Sequence, residues 1–118
     1  MVIRRKKIKL KDKSYYISVS AYKNNRIRLR YKNASETHDI TLDVQDVYLD
    51  AGKVLLDPNI KNNGLLKILK KCRIIRDIVG YVNYNYVELP VAVLNMGILK
   101  RYDYDGVMRY LEKVMSGE

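Results

Sequence analysis

Apolar residues recur at every second position through the first third of the chain. Ile8 and Leu10 alternate with Lys7, Lys9 and Lys11. Ile17, Val19 and Ala21 alternate with Tyr16, Ser18, Ser20 and Tyr22, and Ile27, Leu29 and Tyr31 alternate with Arg26, Arg28, Arg30 and Lys32. Period two is the mark of strands that bury one face. The breaks between these runs, Lys11-Asp12-Lys13-Ser14 and Lys23-Asn24-Asn25, have turn composition, Asn being tolerant of left-handed backbone. After polar residues 33–36, Ile40, Leu42 and Val44 alternate with Asp39, Thr41, Asp43 and Gln45, which predicts a fourth strand, and residues 47–49 predict a brief fifth. Short strands joined by tight turns indicate an antiparallel meander.

The period changes after Asp57-Pro58-Asn59. Leu65, Leu66, Ile68, Leu69 and Cys72 recur at helical spacing, with Lys67, Lys70 and Lys71 on the other side. Asp57 before Pro58 reads as a cap followed by proline at the first helical position, and Gly64 weakens the early part of that helix. Residues 74–88 return to a strand pattern around Gly80, with Val82, Tyr84 and Tyr86 on one face. Pro90 confines a strand there to an edge or ends it. The last segment predicts an amphipathic helix, capped by Asp103 or Asp105, with Tyr104, Val107, Met108, Leu111 and Met115 as its stripe. The expected fold is one α+β domain over residues 1–118: an antiparallel meander sheet of about five to six strands with two helices packed on one face.

Charge changes the picture more than composition does. Residues 1–32 carry twelve Lys or Arg against one acid, Asp12, whereas residues 33–66 carry six acids against Lys53 and Lys61. The formal charge of +10 is therefore concentrated in the first quarter, and such a field points to an anionic partner, most often nucleic acid. Cys72 is the single cysteine, which excludes an intramolecular disulfide and fits a reducing cytoplasm. The basic start, Met1-Val2-Ile3-Arg4, is followed by no apolar signal region, and the most apolar window, residues 87–99, is broken by Glu88 and Pro90. The expectation is a cytoplasmic protein without a membrane partner.

Strand parity turns the basic run into a candidate surface. The side opposite the Ile/Leu/Val layer presents Lys7, Lys9 and Lys11, then Tyr16, Ser18, Ser20 and Tyr22, then Arg26, Arg28, Arg30 and Lys32. Basic columns can track a phosphate backbone, and Tyr16 and Tyr22 offer flat rings for unpaired bases. The competing reading is a solvated charged face, with Asp39 and Asp43 pairing across strands with Arg28 or Arg30. Lys67, Lys70 and Lys71 form a second basic patch, which extends the first only if their helix packs beside the open face.

Other chemistry finds little support in the residues. Asp39, Asp43, Asp46, Asp50 and Asp57 have no recognisable nuclease spacing, and two-metal chemistry needs carboxylates converging on one point. His38 is the only histidine, which leaves a His-based metal site or a Ser-His-Asp triad without partners. Cys72 falls on an apolar helix stripe, and there is neither a Walker loop nor a dinucleotide-binding glycine pattern. No cofactor, metal or small-molecule substrate is expected. Eleven tyrosines stand in a chain with no Phe or Trp, so Tyr104 is expected in the core, and Tyr81, Tyr84, Tyr86, Tyr102 and Tyr110 stay open between core and partner surface.

One further pattern is the order of three pieces. The strand at residues 39–44 is followed by Val47-Tyr48-Leu49-Asp50. The helix contains Asn63-Gly64-Leu65, and Gly80-Tyr81-Val82-Asn83-Tyr84 leads to Val87-Glu88-Leu89. In this order, over residues 15–90, the chain resembles a family of short proteins of unknown function from phages and conjugative elements of low-GC Gram-positive bacteria. Residues 91–102 make a longer tail than that family's. The resemblance implies a mobile-element accessory protein and carries over no catalytic residue. Small proteins of such elements include anti-CRISPR inhibitors, so the expected function is non-enzymatic binding of nucleic acid or of a host nuclease complex. The alternative is a DNA-binding regulatory protein of its own element. Either is expected as a monomer or homodimer.

Overall fold

The computed structural model describes residues 5–50 and 52–116; Met1 to Arg4, the start of the basic stretch, lie outside the described residues. Four strands form the first sheet: β1 (Lys7–Leu10), β2 (Lys13–Ala21), β3 (Ile27–Lys32) and β4 (Thr37–Asp39), paired antiparallel in chain order. Alternation is obeyed: Ile8, Leu10, Ile17, Val19, Ile27, Leu29 and Tyr31 are buried, and their neighbours are not. The β1–β2 hairpin turns on two residues, Lys11 and Asp12, with Lys11 at φ 58°, and Asn25 adopts φ 67° in the next turn.

The expected single sheet is instead two. β5 (Thr41–Leu42), β6 (Lys53–Leu56), β7 (Ile75–Tyr84) and β8 (Val87–Leu94) form a second antiparallel sheet in the order β5-β6-β8-β7. The chain changes sheets at Ile40, which splits the predicted fourth strand. The Ile40 N–H donates to Leu29 O at 2.9 Å in the first sheet, while its carbonyl accepts from Asp57 N–H at 2.9 Å beside the second. Residues 47–49 form no strand; the extra strand is β6. Its run Val54-Leu55-Leu56 has no polar alternation because both of its faces are covered. Val54 and Leu56 join the central core, and Leu55 joins a smaller cluster under Val44, Val47 and Leu49. Pro90 lies within β8, an interior strand, but the β6 ladder stops at Val91, so one side is open where the N–H is missing.

Four helices are present among the described residues, not two: α1 (Asn59–Asn62), α2 (Leu65–Lys71), α3 (Met96–Tyr102) and α4 (Tyr104–Met115). Gly64, at φ 88°, breaks the expected middle helix into α1 and α2; Asp57 caps from outside, accepting the Asn59 N–H at 2.9 Å. Cys72 ends α2, packed against the core as expected. Leu99 and Tyr102 of α3 are buried. The stripe of α4 is rotated from its expectation: Gly106 and Val107 are buried, whereas Tyr104 is 44% exposed and lies outside the core. No helix of the described residues is long and apolar enough to cross a membrane.

The α3–α4 corner covers the edge that β2 exposes beyond the end of β1. Asp103 caps α4 by accepting the Gly106 N–H at 3.1 Å, and it also accepts the Val19 N–H at 2.9 Å. Arg5 bridges the same corner, donating to the carbonyls of Tyr102 and Ile17. Glycine is required at 106, since a Cβ there would lie 2.6 Å from Val19 O and 2.2 Å from Asp103 Oδ2. Gly106→Ala should therefore lower unfolding free energy by about 1–3 kcal/mol, read by urea denaturation. An unchanged midpoint would mean that the corner docks more loosely than described.

At the other end of the first sheet, the Tyr15 hydroxyl donates to the Glu36 carboxylate, which His38 and Lys13 also approach at 3.3 and 3.4 Å. The Tyr15 bond, followed by the His38 and Lys13 contacts, holds the Glu36 carboxyl below its ordinary value, and the same bond pushes Tyr15 up to about 12. A lowered carboxylate value stabilises the fold above the unfolded value and loses that contribution as pH falls through the folded one. Glu36→Gln should thus be less stable than the parent at neutral pH, with the gap closing on acidification. A thermal melt series from about pH 7 to about pH 3 tests this; a gap independent of pH removes the linkage.

Candidate nucleic-acid interface

Register assembles the predicted face. Tyr16 lies opposite Lys7 on one side and Lys32 on the other, Lys9 opposite Ser14, Ser18 opposite Arg30, and Ser20 opposite Arg28. Directly opposed residues stand roughly 4.5–5.5 Å apart at Cβ, so a lysine column, a hydroxyl column and an arginine column are neighbours. The sheet's other face is packed into the core, which leaves this one polar. Lys7 and Lys9 are exposed; Tyr16, Ser18, Ser20, Arg28, Arg30 and Lys32 are half-buried.

Not every predicted residue has the expected role. Lys11 occupies the hairpin turn at the end of the sheet and not a position on its face. Arg26 sits just before β3 and is spent on the fold: its guanidinium donates to Val44 O at 2.9 Å and to Val47 O, and pairs with Asp43 at 3.4 Å. Tyr22 is anchored at the far end of β2. Its hydroxyl donates to Thr41 O at 3.2 Å and lies 3.0 Å from Thr41 Oγ1, and Arg28 covers its ring at 5.3 Å. Burial is the main cause that raises the Tyr22 hydroxyl above its ordinary value. Tyr16 carries Arg5 and Lys7 each 4.9 Å from its ring centroid. Tyr22 stands six residues on, just past the end of β2, so the two backbone positions are separated by roughly 20 Å.

The middle-helix patch does not join this surface. Leu65 and Leu69 anchor α2 in the core, against the apolar side of the first sheet, so Lys67, Lys70 and Lys71 do not extend the polar face. A pair absent from the sequence reading does. Arg109 and Lys113 of α4 line a groove of about 350 Å³ together with Ser18, Ser20 and Arg30. The available signal was the spacing Gly106, Arg109, Lys113, which places one small and two basic residues along a single helix side.

The arginines differ in their engagement. Arg28 pairs with Asp39 at 3.3 Å, as the solvated-face reading expects, while Asp43 goes to Arg26. Asp39 stands opposite Arg30 in register yet turns to Arg28. Arg30 makes no side-chain hydrogen bond or ion pair among the described residues, and its Nε is shut off from solvent without a partner. The acids are dispersed: Asp50 pairs with Lys53 at 3.0 Å, and Asp57 accepts the Asn59 N–H ahead of α1, where Pro58 holds the cap position. No group of three or more His, Cys, Asp or Glu side chains gathers among the described residues. Comparison with protein families, with curated proteins and with solved structures finds no match to this chain.

Two substitutions separate fold from face. Arg26→Ala should cost about 1.5–3 kcal/mol, since it removes charge-assisted bonds to two carbonyls. Arg30→Gln should stay within about 0.5 kcal/mol of the parent. Chemical denaturation of both variants reads the difference; equal losses would make Arg30 structural as well.

Proposed function

We propose that this protein is a non-enzymatic nucleic-acid-binding module that holds phosphate backbone against the polar face of its first sheet. The observation that carries this reading is the register itself. It sets Lys7, Lys9, Arg28, Arg30 and Lys32 around a hydroxyl column, with Asp39 as the one carboxylate paired into the rim. Lysines supply mobile point charges and arginines planar forks, the two modes by which phosphate oxygens are bound. Tyr16 is the residue suited to stacking a base, its ring being already a cation platform, whereas Tyr22 is tied to Thr41 and supports Arg28. In the mobile-element setting that the sequence resemblance implies, the sharper form is an anti-CRISPR-type inhibitor whose basic face meets the guide or target strand of a host nuclease complex.

The test is fluorescence anisotropy with labelled duplex DNA, single-stranded DNA and RNA, each over a salt series. Binding should weaken steeply with salt, with a log–log slope of about −0.7 to −0.9 per phosphate contact. The Arg28→Glu/Arg30→Glu double variant should abolish binding while melting within a few degrees of the parent, because the Arg28–Asp39 pair is exposed and worth under about 1 kcal/mol. Salt-insensitive or absent binding to all three ligands would overturn the proposal.

A further inference from the structure

We propose that the groove between β2 and α4 is a phosphate-binding subsite, in which Arg30, Arg109 and Lys113 surround one phosphate group. This rests on the nucleic-acid reading above and deepens it, since it says where on the face the backbone is gripped. The chemistry of the lining is one-sided: three cations and the hydroxyl-bearing Ser18 and Ser20, with no carboxylate. Its volume of about 350 Å³ lies at the lower end of small-ligand pockets, which is room for a phosphate with its sugar.

The groove follows from the sequence of the two elements that form it. Ser18 and Ser20 are small side chains opposite the arginines, so they leave a trough between the arginine column and the strand edge. Gly106 lets α4 approach that edge against Val19, and Asp103 fixes the approach through the Val19 N–H. Arg109 and Lys113 follow at three and seven residues on the same helix side. Docking the helix therefore delivers two cations beside a third, an arrangement that like-charge repulsion opposes in the free protein.

Arg30 is the residue that points to a ligand. Its closest acid in register, Asp39, is turned to Arg28, and its guanidinium makes no hydrogen bond or ion pair among the described residues. A bound oxyanion would give the terminal nitrogens of that guanidinium the acceptor they lack. The guanidinium fork of Arg30, the guanidinium of Arg109 and the ammonium of Lys113 match the oxygens of a phosphate, to which the serine hydroxyls can also donate. Lys113 is at present held only weakly, with Nζ 3.5 Å from Tyr22 O.

The experiment compares the parent with Arg109→Gln/Lys113→Gln and with Lys7→Gln/Lys9→Gln, each checked for an unchanged melting temperature. Anisotropy with a labelled oligonucleotide is run over a salt series, and amide NMR shifts are followed with the oligonucleotide and with inorganic phosphate. The groove variant should lose about tenfold or more in affinity and about one unit of salt slope, since the groove holds one phosphate. Saturable shifts should centre on Ser18, Ser20, Gly106 and Arg109. If the parent binds steeply with salt and only the Lys7/Lys9 variant weakens, the groove proposal is overturned and the face reading stands. If the parent binds no oligonucleotide but inorganic phosphate gives saturable shifts in the groove, the subsite stands with free phosphate as its source, and the face reading fails. No groove shift with either probe overturns the subsite.

Discussion

Everything on the polar face depends on one crossing of the backbone. Ile40, fully buried, gives its N–H to Leu29 in the first sheet and its carbonyl to Asp57 beside the second. Thr41 then extends the first sheet with its side chain while its backbone enters the second: its Oγ1 accepts the Leu29 N–H at 3.0 Å. A chain that leaves a sheet normally orphans the ladder groups opposite it, and this pair leaves none at Leu29. The crossing folds the second sheet against the apolar side of the first. That choice of side buries Ile17 and Leu29 and leaves the lysine, serine and arginine columns outside. Tyr22 bonds to the same Thr41 and carries Arg28 on its ring, so the hinge also sets the posture of one column.

Positive charge at this density opposes folding, and the molecule answers it unevenly. Arg26 and Arg5 are absorbed into loop and corner carbonyls, each near an aspartate. Arg28 is paired with Asp39 at the rim. Arg30, Arg109 and the β1 lysines receive no such partner among the described residues. The Nε atoms of Arg28 and Arg30 are both shut away from water without a partner.

Half-burial decides which parts of this were legible in the sequence. β1, β2 and β3 bury one face each, so alternation named them and assigned the sides of Lys9, Ser18 and Arg30 correctly. β6 is covered on both faces, so Val54-Leu55-Leu56 carries no period. The break between β4 and β5 was invisible because Ile40 remains buried through it; only its hydrogen-bond partner changes, and partners leave no mark on hydropathy. Parity also misassigned Arg26, whose long side chain reaches from the strand end to Val47. The α4 side of the groove was hidden for a tertiary reason. Arg109 and Lys113 reach Ser18 only because Gly106 permits contact with Val19, nearly ninety residues away in sequence.

The edges of the sheets argue for a face as the working surface. An open strand edge offers backbone pairing to any extended chain, which would make strand addition the rival mode of recognition. Here β2 beyond β1 is closed by Asp103, Arg5 and Gly106. The β1 edge carries Lys7 and Lys9, and lysine discourages strand pairing. The β7 edge is interrupted by register shifts at Arg76 and Val79, which break the regular row of donors and acceptors. In the first sheet the β1 edge is blunted by lysine and the opposite edge, β4, is only three residues long, which leaves side chains as its main contact surface. Those side chains are cationic and hydroxylic, on a sheet whose other face is packed into the core.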